Sequence, residues 1–297
     1  MRFGIIGLGK MGFNLALNAK NHKHKVIAYN RSKEKVDKIK KYKIDTAYSI
    51  EELMKKLGKN KVIWLMVTAG KATDATLKSI IPYLRKGDIV IDGGNSFYKD
   101  SIKHATLLNK KGIKFLDVGT SGGISGARNG ANFMIGGDLT AYNKTEKLFN
   151  DLSVKKGYGY FGKPGAGHFV KMVHNGIEYG MMQAIGEGME VIEKSKFNPD
   201  KEKLCDVWAN GSVIRSWLIE LARDAYKSSK ALKGYNGVVG LSGEGEWTIK
   251  TAKELKVPVQ VIEDSVKARI KSKKSKRYQG KVVQSLRFGF GGHKQPK

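Results

Sequence analysis

Arg2-Phe3-Gly4-Ile5-Ile6-Gly7-Leu8-Gly9-Lys10-Met11-Gly12 decides the fold. Arg2 to Ile6 is a short apolar strand. It runs into a Gly-x-Gly-x-x-Gly turn and then into the helix-like stretch Phe13 to Lys20, and Lys25-Val26-Ile27-Ala28-Tyr29 reads as the next strand. A dinucleotide fingerprint needs this strand-turn-helix-strand context. Gly7 permits the tight turn, Gly9 lets the backbone approach a pyrophosphate, and Gly12 lets helix and strand pack closely. Lys10 and Met11 lie within the turn as further cofactor-binding candidates, and the N-terminus of the helix that follows offers free N–H groups to an anion. The glycines alone would equally make a structural turn; their setting favours a dinucleotide site.

The second strand ends in Tyr29-Asn30-Arg31-Ser32. An NAD site usually has an acid here, accepting from the ribose 2′-hydroxyl. None is present. Asn30 does not repel a 2′-phosphate, Arg31 can form charge-assisted bonds to one, and Ser32 can donate. That favours NADP. The alternative is that Arg31 is a surface charge and Ser32 only the N-cap of the following helix.

Strand and helix signals continue to alternate. A capping box at Ser49 to Glu52 opens a short helix, Val62 to Val67 is a buried strand, and Ala72 to Leu84 is helical. Asp88 to Ile91 is a strand ending at Asp92-Gly93-Gly94-Asn95-Ser96, and Lys114 to Val118 is a strand followed by the loop Gly119 to Ala127. The pattern predicts a doubly wound, parallel α/β domain over residues 1–163. Beyond Pro164 strand signals stop, which predicts an all-α domain over residues 164–297. Ligands of such sheets sit at the carboxyl ends of the strands. The two glycine-rich loops there offer accessible N–H groups and small polar side chains.

Gly167 to Gly180 carries the chemistry. As a helix it places Lys171, His174, Asn175 and Glu178 at i, i+3, i+4 and i+7, on one face, with Val170, Val173, Ile177 and Met181 as an apolar stripe beside it. Two readings fit: a polar face lining a site, or an exposed amphipathic helix with one Lys/Glu pair.

Composition bounds the rest. At 297 residues and 40% hydrophobic content the chain can build one large or two ordinary cores. No apolar run approaches a membrane span. The chain enters a strand directly, which predicts no signal peptide. The single Cys205 excludes an internal disulfide and suits a reducing, cytoplasmic setting. No Cys/His cluster has metal-ligand spacing, so no metal is expected. The net charge of +28 invites a nucleic-acid reading. Yet only nine of the 55 basic residues are arginine, and the lysines spread along the whole chain, as on solvated helix faces. The densest run, Lys267 to Lys281, is at most a weak polyanion contact.

Together Gly7 to Gly12, Asp92 to Ser96, Ser121-Gly122-Gly123, His168 to Tyr179, Ile214-Arg215-Ser216, Trp247-Thr248 and Arg287 to His293 resemble the decarboxylating 6-phosphogluconate dehydrogenases of the pentose phosphate pathway. The length and the Gly243-Glu244-Gly245 segment resemble the family's compact bacterial branch. The resemblance implies oxidative decarboxylation of 6-phosphogluconate to ribulose 5-phosphate with NAD(P). It implies Lys171 as general base and then acid, Glu178 as the acid that protonates the enediol, and Asn175 and His174 holding substrate and cofactor. Asn95, Ser121, Gly122, Gly123 and Tyr179 would line the substrate, and Arg215 would meet its phosphate. Val67, Thr68, Ala69 and Asn95 would lie along the cofactor. Arg287 and His293 would reach a neighbouring subunit's site, so a homo-oligomer, dimer or tetramer, with a shared active site is implied. Two departures stand out: Ser242 and Thr68 replace lysines that the long form of the family places near substrate and cofactor. The compact branch often prefers NAD, which opposes the reading of Arg31. The competing readings are a β-hydroxyacid dehydrogenase of the 3-hydroxyisobutyrate type and, from another class, a basic nucleic-acid-binding protein.

Overall fold

The computed structural model describes residues 1–296, which form two compact units, one over Met1–Met172 and one from Val173 onward. The division falls inside a long helix rather than before it.

The first unit is an eight-stranded sheet with helices. Its strands are β1 (Arg2–Ile6), β2 (Lys25–Tyr29), β3 (Asp45–Ala47), β4 (Val62–Leu65), β5 (Ile89–Asp92), β6 (Lys114–Ser121), β7 (Ala131–Gly137) and β8 (Ser153–Tyr160), in the order β3-β2-β1-β4-β5-β6-β7-β8. All neighbouring pairs are parallel except β6 and β7, which are antiparallel. Helices α1 (Lys10–Asn21), α2 (Lys33–Lys40), α3 (Ile50–Leu57), α4 (Lys71–Ile80), α5 (Tyr98–Asn109), α6 (Gly123–Asn129) and α7 (Leu139–Leu152) connect them. The apolar faces of the strands supply two cores. One is built around Phe3, Leu15, Trp64, Phe133 and Phe149, the other around Ile27, Leu53, Ile63, Val90 and Phe115. Burial on both sides is why these strands read as continuous apolar runs.

The sequence signal of three strands is weak. β3 is only three residues long. β7 ends in Gly136-Gly137, where a Cβ would meet Gly167 N at 2.5 Å and Phe115 O at 2.3 Å, so close backbone approach replaces apolar alternation. β8 is an edge strand with Val154, Lys155 and Lys156 exposed, which suits an edge guarded against further pairing. The expected loop over Gly119 to Ala127 is also resolved differently: β6 continues to Ser121, and α6 begins at Gly123 after Gly122 turns with φ +98. At the expected capping box, Glu52 N–H donates to the N-cap Ser49 Oγ at 3.0 Å, while the Glu52 carboxylate reaches one residue further back and accepts from Tyr48 N–H at 2.7 Å.

The long helix is α8 (Ala166–Lys194), of 29 residues. Beyond it come α9 (Lys201–Ala209), α10 (Trp217–Ser228), α11 (Glu244–Glu254), α12 (Gln260–Ser272) and α13 (Tyr278–Gly291); among the described residues no strand follows β8. Their core gathers Met182, Met189, Ile219, Tyr226, Val266, Val282 and Leu286. Asp200 caps α9, accepting from Lys203 N–H at 2.9 Å, as the turn signal at Phe197 to Asp200 anticipates. Among the described residues, no helix is long and apolar enough to cross a membrane.

Candidate active site

In the first unit, the glycine turn has the geometry a dinucleotide needs. Gly7 has φ +103, and a Cβ there would strike Met66 O at 2.4 Å; at Gly12 it would strike Gly7 O at 2.0 Å. Gly9 differs: a Cβ would meet nothing within 4 Å. It is exposed and begins α1 without a side-chain cap. The turn that leads into α1 is therefore open on the Gly9 side. Lys10 is exposed and Met11 half-buried at the same turn. Asn30 supports the loop, accepting from Leu8 N–H through Oδ1 at 2.9 Å. Arg31 and Ser32 are exposed at the end of β2, and Ser32 precedes α2 without a side-chain capping bond. Val67, Thr68 and Ala69 follow β4, and the Val67 side chain and main chain lie close under Gly7 and Gly94. Asn95 is exposed after β5, in a turn tied by Asp92, whose carboxylate accepts from Gly94 N–H at 3.1 Å and Ser96 Oγ at 2.8 Å.

The start of α8 is fixed by β6. Asp117, fully buried, accepts from Gly165 N–H at 2.8 Å and from His168 N–H at 2.9 Å. A carboxylate at a helix N-terminus satisfies orphan donors and complements the dipole. His168, 1% exposed, has both ring nitrogens bonded, Nδ1 to Ser101 Oγ at 2.7 Å and Nε2 to Gly94 O at 3.0 Å. It thereby ties α8 to the Asn95 turn. One helical turn on, Lys171 is 6% exposed, and its stem passes over Gly119, where a Cβ would come within 2.3 Å of Lys171 Cβ. Ser121, Gly122 and Gly123 continue from the same strand and are half-buried.

In the second unit, α8 carries Asn175, 8% exposed, and Tyr179, 4% exposed, with His174 and Glu178 half-buried. His174 Nδ1 lies 3.0 Å from Asn175 Oδ1 and 3.9 Å from Glu178 Oε2. The polar face is thus the buried one. The stripe expected beside it divides: Val170 and Val173 are half-buried, whereas Ile177 and Met181 are 53% and 43% exposed. That amphipathicity is the reverse of an ordinary surface helix, and it removes the reading of a solvated Lys/Glu face.

Tyr179 anchors a cationic cluster. Its hydroxyl donates to Ser242 O at 2.7 Å, and the Arg269 guanidinium lies over its ring at 3.3 Å from the centroid. Arg269 is 2% exposed, with Nη1 donating to Gly240 O at 3.4 Å and Nη2 buried without a hydrogen-bond partner. Arg287 is 6% exposed and donates to Gln284 Oε1 at 3.0 Å. Burial pushes Arg269 down to about 10 and lowers Arg287 as well, while the charges of Glu178 and Glu244 act on both in the opposite sense. Two guanidiniums held this way call for an anion.

Two family models span the chain. The NAD-binding domain of 6-phosphogluconate dehydrogenase matches residues 2–162, and its C-terminal domain matches residues 167–288. The chain belongs to the 6-phosphogluconate dehydrogenase family. It is 39% identical to the Haloferax volcanii 6-phosphogluconate dehydrogenase, NAD(+)-dependent, decarboxylating, over 99% of this chain and 98% of that protein. It is 46% identical to the Bacillus subtilis putative 6-phosphogluconate dehydrogenase YqeC over the whole of both chains. A Plasmodium falciparum 6-phosphogluconate dehydrogenase, solved without ligands, with NADP+ and with 6-phosphogluconate, superposes with a TM-score of 0.84 at 34% identity, over 97% of this chain and 63% of that one. The Mycobacterium tuberculosis 3-hydroxyisobutyrate dehydrogenase shares the fold, with a TM-score of 0.75 at 18% identity over 96% of this chain and 99% of that one.

Within this family frame, three residues named from sequence stand differently. Arg215 lies exposed in the turn before α10. Arg287 is buried in α13 of its own chain. His293 lies exposed just beyond that helix. Sequence reasoning missed Arg269, Asp117 and His168 as site-builders. A signal for Arg269 existed: with Val266 and Ser272 it recurs every three residues on the buried face of α12, in a chain whose default cation is lysine.

Gly119→Ala should displace the Lys171 stem with little effect on the sheet. We expect kcat to fall about 10- to 100-fold, as misplacements near 1 Å do, with cofactor affinity and circular dichroism little changed. An unaltered kcat would show that Lys171 does not need this placement.

Proposed function

We propose that the protein oxidatively decarboxylates 6-phospho-D-gluconate to D-ribulose 5-phosphate and CO2 with reduction of NAD(P)+. The observation that carries this reading is the buried Arg269 and Arg287 beside Tyr179, on the helix that also carries Glu178. A 3-hydroxyisobutyrate-type substrate has no phosphate to justify two buried guanidiniums. A nucleic-acid-binding role has no use for them either, since such proteins present cations at the surface.

A nicotinamide cofactor, held by its pyrophosphate at the Gly7 to Gly12 turn, would supply hydride acceptance. The chain's own residues supply the proton chemistry. Lys171, desolvated against Gly119, takes the proton of the substrate's secondary hydroxyl as that carbon is oxidised. The resulting β-keto acid loses CO2 when the electrons of the breaking C–C bond move into the carbonyl, and the ammonium of Lys171 returns its proton to that oxygen. Glu178, two helical turns or about 10 Å along α8, protonates carbon in the enediol, while Lys171, neutral again, takes the proton that the enol hydroxyl releases as it becomes the ketone of the product. Asn175 and His174, joined to one another, orient the hydroxyls between.

Lys171→Met should abolish turnover while leaving cofactor binding intact. Glu178→Gln should lower ribulose 5-phosphate formation about 10²- to 10⁴-fold, the range for general acid catalysis. Spectrophotometric NAD(P)H formation with 6-phosphogluconate, compared with 3-hydroxyisobutyrate, tests both. More than a few per cent of wild-type kcat in Lys171→Met would refute the assignment.

For the cofactor we favour NADP. Arg31 and Ser32 are exposed at the end of β2, and Asn30 brings no negative charge there. The Haloferax relative's NAD(+) dependence supports the opposite preference. A charge-assisted bond contributes about 1.5–3 kcal/mol, or one to two decades in affinity. Arg31→Ala with Asn30→Asp should therefore weaken NADP at least tenfold and improve NAD, and the new carboxylate retains an acceptor for Leu8 N–H. If kcat/KM of the wild type already favours NAD, Arg31 does not read the 2′-phosphate.

A homo-oligomer belongs to the same reading. Ile177, Met181, Ala184, Gly188 and Val191 follow a heptad-like spacing along α8, and all are exposed. An apolar seam of this spacing suits a second helix. We place His293, rather than Arg287, in the neighbouring subunit's site. Lys171→Met and His293→Ala, each inactive alone, should then recover activity when mixed and refolded, since hybrids contain sites with neither lesion. Well-folded hybrids without activity would show that each chain serves itself. A cytoplasmic location accords with a multiply charged substrate and cofactor that do not cross a bilayer unaided.

A further inference from the structure

Glu244 is the first residue of α11 and is 8% exposed. Its main chain is held on the Tyr179 side of the cationic cluster. At Gly245 a Cβ would come within 2.7 Å of the Tyr179 ring and 3.0 Å of Val266, so only glycine lets the turn approach. Thr248 Oγ1 donates to Glu244 O at 2.9 Å, and a Cβ on Gly176 of α8 would meet that same threonine side chain at 2.7 Å. At Gly240, four residues earlier, a Cβ would lie 3.0 Å from the Arg287 guanidinium, and the Gly240 carbonyl accepts from Arg269. The segment 240–245 therefore meets both guanidiniums at Gly240 and Tyr179, over whose ring Arg269 lies, at Ser242 and Gly245, and it carries a buried residue, Glu244, near its end. Ser242, within it, brings a hydroxyl 2.9 Å from the Tyr179 hydroxyl and no charge.

The charges of this cluster do not suit a simple phosphate receptor. Arg269 and Arg287 bring two positive charges. Glu178 has work elsewhere, as the acid that protonates carbon. A phosphate monoester near neutral pH brings close to two negative charges. With Glu244 already present, a dianion meets a cluster partly neutralised before it arrives. We propose that Glu244 is the resident counter-ion of the Arg269–Arg287 pair, balancing it in the free protein and competing with the substrate's phosphate. It thereby sets how far the enzyme prefers a phosphorylated sugar acid over the unphosphorylated one. Without a phosphate, the guanidiniums keep an anionic neighbour and are not stranded, and the carboxylate can accept from the C6 hydroxyl of D-gluconate. The unphosphorylated acid is then penalised less than in a site whose cations depend on the phosphate alone. This inference rests on the reading that the guanidinium pair receives the substrate's phosphate.

Glu244→Gln keeps the shape and removes the charge, and Ser242→Lys adds a cation with Glu244 in place. In both, the affinity for inorganic phosphate, titrated calorimetrically without turnover, should rise about tenfold or more, as expected for one charge at close range. The ratio of kcat/KM for 6-phosphogluconate to that for D-gluconate should rise by a similar factor, mainly through a lower KM for the phosphorylated acid. Should Glu244→Gln not fold, Glu244→Ala, which also removes the charge, decides in its place. Wild-type turnover of 6-phosphogluconate with phosphate affinity and substrate ratio unmoved in the folded variants would overturn the counter-ion role. Phosphate affinities that rise as expected in a protein that does not turn over 6-phosphogluconate would overturn the proposed activity and leave the counter-ion role standing.

Discussion

The bonds from Gly165 and His168 N–H to the buried Asp117 carboxylate set where α8 begins and how it is rotated. A helix advances by about 100° per residue, so a small rotation at its start would carry Lys171 off Gly119. The carboxylate comes from β6, at the interior of the sheet, and strand and helix start are therefore held together. Such an approach needs bare backbone on both sides. At Gly136 a Cβ would meet Gly167 N at 2.5 Å, and at Gly167 it would meet Asp117 O at 2.3 Å. These glycines are required by contact distance, and none of them belongs to the nucleotide fingerprint.

Given that fixed start, α8 distributes its faces against the usual rule. The polar side chains of Lys171, Asn175 and Tyr179 are buried, and Ile177, Met181 and Val191 are exposed. Exposed apolar side chains in a row gain nothing from water, and burying them contributes about 25 cal/mol per Å². Buried polar groups are tolerated when each has a partner or a ligand to meet. One helix thus presents buried polar groups on one side and an exposed apolar row on the other; under the proposed reading the first lines the site and the second is a surface for association.

Much of this was legible in the sequence, because some functions leave local patterns. Gly7, Gly9 and Gly12 lie within six residues, and Lys171 to Glu178 within about two turns of helix. The Rossmann-type unit and the helical unit also followed from strand and helix periodicities. What was not legible depends on non-local contacts. β7 and β8 hide because glycines and edge lysines blur their alternation. Asp117 looks like any acid in a strand until α8 is placed beside it, 48 residues on. Arg287 looks like part of a glycine-rich tail, yet Gly289 and Gly291 lie within helix α13 and the arginine turns inward. The stripe of Ile177 and Met181 was visible, but no periodicity says whether an apolar stripe meets its own chain or another.

The same contrast resolves the protein's high charge. Of the 55 lysines and arginines, four are buried among the described residues: Lys61, Lys171, Arg269 and Arg287. Lys61 is paired with Asp88, its Nζ 3.5 Å from the carboxylate, and serves the fold. The other three are the groups to which proton transfer and anion binding are assigned. Solvated lysines are screened within about 10 Å at moderate ionic strength, so the +28 acts as a diffuse attraction for anions and does little to select among them. A buried cation is different, since removing it from water is expensive unless an anion arrives. Under the proposed reading, selectivity resides in the few charges that the fold has desolvated, and burial separates those few from the many at the surface.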